Sequence, residues 1–129
     1  MILIAAAVID FGCVAQGFVY SLDTIVTNND SRIQRIKVRC EKVGGSDNNR
    51  VSATTSSQPF APGMSTVVKV ELRAETAVNT SEYEIVMWTE NSKEVLRSTI
   101  TSTIIPIDVY KSVDKSLKLQ KRSGTNMFG

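Results

Sequence analysis

The 129 residues include no histidine. That removes the commonest general base and the commonest metal ligand. Serines, threonines and carboxylates are plentiful, but nothing in the chain is placed to activate them, and no Gly-rich phosphate loop is present. The two cysteines, Cys13 and Cys40, are too few for a disulfide framework or a zinc site. They read as free, buried thiols in a reducing compartment, with a bridge between them as the competing reading. No enzyme activity, small-molecule substrate, cofactor or metal is expected. What remains is the chemistry of recognition. Arg35, Lys37 and Arg39 alternate along one strand face with Arg32 nearby. Such a stripe suits an acidic surface such as tubulin; the competing reading is a solvated face paired with neighbouring carboxylates. Trp88 and Val86 fall opposite the inward-facing set of their own strand. Facing outward, the indole would be an anchor for a partner; a register slip of one residue would make it core. A second basic group, Lys115, Lys118, Lys121 and Arg122, lies near the C-terminus.

The elements that position these residues are strands. Residues 18–28 alternate, with Tyr20, Leu22, Thr24 and Val26 on one face. Neither face is purely polar, so this strand is expected to be central. Asn28-Asn29-Asp30-Ser31 is a turn, because Asn and Asp tolerate left-handed backbone and bond their own main chain. Ile36, Val38 and Cys40 alternate with the basic stripe. A loop over residues 43–50 precedes a short polar strand within 51–57. The Pro62-Gly63 turn then feeds a strand whose Val68, Val70 and Leu72 face oppositely to Lys69, Glu71 and Arg73. Tyr83, Ile85 and Met87 mark the next strand, and residues 95–105 the last, closed by Pro106. The apolar run 2–9 supplies a first strand, ending at Ile9-Asp10-Phe11-Gly12.

About seven short strands with no convincing helix describe an all-β, immunoglobulin-like antiparallel sandwich. Its inward set is expected to be Phe11, Tyr20, Leu22, Val26, Ile36, Val38, Val68, Val70, Leu72, Tyr83, Ile85, Met87 and Ile100.

Length allows one domain, residues 1–107, with a tail or linker over 108–129. Charge divides the same way. Residues 1–110 carry ten Lys/Arg against twelve Asp/Glu, whereas residues 111–129 carry five against Asp114 alone. The near-neutral body does not suggest nucleic acid. Within the tail, Val109, Val113 and Leu117 recur every four residues, as in a short amphipathic helix; a basic arm and a disordered linker are the other readings. The apolar opening lacks a charged leader and is closed by Asp10, so neither a signal peptide nor membrane insertion is expected. A strand beginning at once suggests a domain cut from a longer protein.

Three features in register resemble a known family. Ile9-Asp10-Phe11-Gly12 followed by Gly17 is similar to the opening of ASH domains. Thr24-Ile25-Val26-Thr27-Asn28-Asn29-Asp30 resembles their strand ending in Thr-Asn. Phe60-Ala61-Pro62-Gly63 resembles the Pro-Gly step they share with major sperm protein (MSP) domains, within the PapD-like superfamily. The resemblance spans residues 8 to about 106. It implies a non-catalytic scaffold module of a larger cytoplasmic protein, located in a cilium or flagellum (the axoneme or its central apparatus) or at a centrosome, with protein partners. Two alternatives follow: an MSP-like receptor for short peptides at membrane contact sites, or a microtubule-binding module using the basic tail. Glu82-Tyr83-Glu84-Ile85 is acidic where the peptide-binding branch would carry lysine.

Overall fold

The period-two patterning resolves into two layered sheets. The computed structural model describes residues 2–43, 49–56, 58–90, 92–113 and 125–126. In chain order these form β1 (Leu3–Ile4), β2 (Val8–Ala15), β3 (Phe18–Asn28), β4 (Ile36–Lys42), β5 (Arg50–Thr55), β6 (Ser65–Arg73), β7 (Val78–Thr89), β8 (Val95–Ile105), the helical turn α1 (Ile107–Tyr110) and β9 (Thr125–Asn126). One sheet has the order β1-β3-β6-β5, with β9 also on β3; the other has the order β2-β8-β7-β4. All described pairings are antiparallel except β2 with β8.

The seven expected strands are present, and two corrections concern the ends of the chain. The opening run is not one strand. After Ile4 the chain leaves the first sheet and continues as β2 in the second, running through Asp10–Gly12 to Ala15 instead of stopping there. A bulge between Asp10 and Cys13 absorbs the change of register. Gly12 occupies it at φ 65°, donating its N–H to Asp10 Oδ1 at 2.7 Å. In the tail, α1 is a single turn after Pro106 that buries none of its side chains. Residues 111–113 continue it only as a turn, and Leu117, the last of the apolar positions in the amphipathic-helix reading, lies outside the described residues.

The inward set is as expected. Eleven of its thirteen members are buried, and Leu22 and Val38 pack half-buried against them. Leu3, Ile9, Val14, Phe60, Ala74 and Ile104 complete the core. Two tyrosines bury their rings and satisfy their hydroxyls: Tyr20 Oη accepts from Ala15 N at 2.9 Å, and Tyr83 Oη donates to Asn49 O at 3.1 Å.

The Thr-Asn strand end and the Pro-Gly step meet in a single knot. Asn28 is fully buried, and its Nδ2 donates to Arg32 O at 2.8 Å and to Phe60 O at 3.0 Å. Its Oδ1 accepts from Asp30 N at 2.9 Å. Its own main chain bonds Met64 O and Gly63 N, at 2.9 and 2.8 Å. Met64 N donates back to Ala61 O at 3.0 Å, and Gly63 sits between them at φ 78°. Proline followed by a positive-φ glycine is what such a turn requires. One side chain thus holds the end of β3, the 29–34 turn and the corner before β6.

A candidate interaction face

The outer face of the β2-β8-β7-β4 sheet gathers part of the basic stripe and the tryptophan. In register, Lys37 stands opposite Trp88, and Arg39 opposite Val86. On the other flank of β7, Trp88 pairs with Val95 and Val86 with Arg97. Trp88 faces outward and is half-buried. The Arg39 guanidinium lies 5.3 Å from its ring centroid, a cation–π contact. Val86 also points outward yet is only 1% exposed. Its cross-strand neighbours are two arginines, whose long aliphatic stems can cover it while their charged heads stay in water.

The cations on this face have partners. Arg39 Nη2 lies 2.8 Å from Glu41 Oε1. Arg97 Nη1 reaches Glu84 Oε2 at 2.9 Å and Glu41 Oε2 at 3.3 Å, and Lys37 Nζ lies 3.0 Å from Glu90 Oε1. Hydrogen bonds from Arg39 and Arg97 hold the Glu41 carboxyl below its usual range, and Lys37 does the same for Glu90. Glu84 and Glu41 push Arg97 up in turn. These pairs are exposed, so they orient side chains more than they stabilise the fold. The stripe is therefore a neutralised network around an indole. Arg35 precedes β4, is exposed, and contributes to the field at Glu90. Lys115, Lys118, Lys121 and Arg122 lie outside the described residues.

Sequence reasoning anticipated pairing with neighbouring carboxylates as the competing reading, but it did not name the partners. The missed residues are Glu41, Glu84, Glu90 and Arg97, together with the exposed Val95. Their alternation was readable, but only the strand pairing sets them side by side. A second feature is a shallow groove of about 440 Å³ between the edges of β4 and β5. Cys40 and Val51 line it together with Lys42, Arg50, Arg73 and Glu41. Both thiols are free and half-buried, and burial pushes Cys40 up to about 11. Among the described residues no three His, Cys, Asp or Glu side chains gather as a metal site, and no helix is long and apolar enough to cross a membrane.

No family model matches the chain, and no curated protein matches its sequence. Solved structures do. The ASH/PapD-like domain 7 of human CEP192 superposes with a TM-score of 0.58 at 9% identity, covering 81% of this chain and 86% of that domain. The CupB2 chaperone of Pseudomonas aeruginosa gives 0.61 at 10% identity, covering 84% of this chain and 59% of that one. The fold is PapD-like.

The secreted serine protease VesC from Vibrio cholerae also contains a similar unit, with a TM-score of 0.62 at 17% identity and 84% of this chain covered. The chain spans only 25% of VesC and 32% of the related protease VesB. Both matches are at 17% identity. The likeness to the proteases is one of fold.

Proposed function

We propose that this chain is a non-catalytic protein-interaction module that serves as a scaffold in a larger protein. The observation that carries the reading is the indole of Trp88, held on an outer sheet face under Arg39 and ringed by self-neutralised ion pairs. A pre-oriented aromatic beside an arginine is the kind of group on which binding energy concentrates. The PapD-like fold supports the same reading. The ASH resemblance of the sequence extends it to a ciliary or centrosomal setting, with axonemal or centrosomal proteins as partners. Affinity capture with the full chain tests both levels. Recovery of axonemal or centrosomal proteins that is lost in Trp88→Ala, with the melting temperature held, is the expected result. Capture of membrane-contact proteins alone would overturn the setting, and no specific partner at all would overturn the module.

A second reading draws on the groove between β4 and β5, whose lining includes Lys42, Arg50 and Arg73, with Glu41 as the one acidic residue among those described. It makes the chain an MSP-like receptor for short acidic peptides. Such binding would weaken steeply with salt, and no binding at low ionic strength would remove this reading.

A further inference from the structure

Among the described residues, the outer edge of β3 is paired at both ends and has no partner strand in the middle. At one end β1 pairs with it, Leu3 opposite Asn28 and Ile4 opposite Thr27. At the other, β9 pairs Thr125 with Val19 and Asn126 with Phe18. No described strand lies against residues 21–26 on that side, although β6 pairs them along the other. The direction of the backbone groups follows from the flanks. Phe18 O and Asn28 N bond toward β6, to Ala74 N and Met64 O, whereas Asn29 N bonds Ile2 O on the β1 side. Alternation then turns the N–H and C=O groups of Ser21, Asp23 and Ile25 to the open edge. Six residues at strand rise span about 20 Å, room for a short added strand.

The side chains along that edge have a definite chemistry. Asp23 and Ile25 project from the outer face, and Ile25 is 61% exposed. Val67, its partner on β6, and Ile4 on β1 are exposed beside it. An added strand would therefore find a carboxylate and, two residues away, an aliphatic strip.

We propose that the 21–26 edge of β3 receives an extended segment of a partner protein by β-augmentation. The segment runs antiparallel to β3, as both strands already seated there do, and reads aliphatic-x-basic from its N-terminus. The aliphatic residue covers Ile25 and the basic one faces Asp23. This rests on the interaction-module reading and names the edge and the ligand class.

The probe is an acetylated, amidated peptide Thr-Val-Thr-Lys-Leu-Thr-Gly, titrated into the full chain and followed by backbone NMR. Shifts should centre on Ser21, Asp23 and Ile25. N-methylation of the Val or the Lys, whose N–H groups would donate to β3, should weaken binding about tenfold. N-methylation of the Thr between them, whose N–H points away, should leave it within about twofold. Replacing the peptide Lys by Glu should weaken binding roughly threefold, and Asp23→Lys should reverse that preference. Ile25→Pro removes one edge donor while sparing the bonds to β6, and should abolish binding. Should that variant fail to fold, the N-methyl pair still decides. No binding, or binding indifferent to which peptide nitrogen is methylated, overturns the inference. So does an edge already covered by the chain's own residues 114–124, which would read as no binding. Failure of the module reading looks different, because the wild-type chain would then capture no partner by any surface.

Discussion

At the residue scale, Asn28 and Cys40 make the sharpest predictions. Asn28 donates twice and accepts from Asp30 N through a side chain with no exposure to water. Truncation would leave Phe60 O without this donor in a buried setting, where an unmade bond carries its desolvation penalty. Asn28→Ala should lower unfolding free energy by roughly 2–4 kcal/mol in urea titrations. Asn28→Asp should also destabilise, since it keeps the acceptor and loses both donations. Cys40 tests burial differently. Its thiol is pushed from 9.0 to about 11 because the thiolate is disfavoured away from water. At pH 8 its thiolate population should be about a hundredfold below that of the same thiol in urea. Iodoacetamide labelling followed by mass spectrometry should show that ratio, narrowing as pH rises toward 11. The sequence placed Cys40 on an inward-facing position, but the depth that suppresses its reactivity depends on packing from other strands.

At the element scale, alternation separates consequences along a single strand. On β6, Leu72 is fully buried and Val67, five residues earlier, is exposed. Leu72→Ala should cost about 2–5 kcal/mol through lost burial and the cavity left behind. Val67→Thr should stay within about 0.5 kcal/mol. Both are read from chemical denaturation midpoints at unchanged slope. The outer face of β4, β7 and β8 predicts a pH effect. The Glu41 and Glu90 carboxyls are held below 4.5 in the folded chain. The unfolded state therefore binds more protons near that pH, and stability rises with pH there. Their contribution is present above pH 4.5 and disappears as pH falls through the lowered folded values. The melting temperature of the wild type should drop more steeply below pH 4.5 than that of Glu41→Gln. The difference should shrink in high salt, as exposed pairs are screened.

At the scale of the whole molecule, the second sheet is closed by segments far apart in the chain. β2, near the N-terminus, lies parallel to β8, with Ile9 opposite Ile100 and Val14 opposite Ile104. Joining residues so far apart requires loop closure before any reward. Folding should thus take milliseconds to seconds, measurable by stopped-flow tryptophan fluorescence through Trp88. A microsecond phase accounting for the full amplitude would contradict this topology. The same closure explains why the first strand divides. β1 joins β3 in one sheet, and β2 crosses to β8 in the other. That crossing is what leaves the middle of β3 without a neighbour among the described strands.

The sequence alone determined the local grammar of this protein. Period-two runs marked the strands and their inward residues, Asn28 and Pro62-Gly63 marked the turns, and the lack of histidine closed off a familiar class of catalysis. These features are local, because backbone geometry and side-chain alternation act over a few residues. Which strands lie side by side was decided only by the tertiary structure. Alternation tells each residue which face to take and leaves its cross-strand neighbour open. Hence Val86 could be placed outward and still prove buried, the basic stripe found its carboxylates only through pairing, and the stretch of β3 edge that no described strand covers came into view only with the fold.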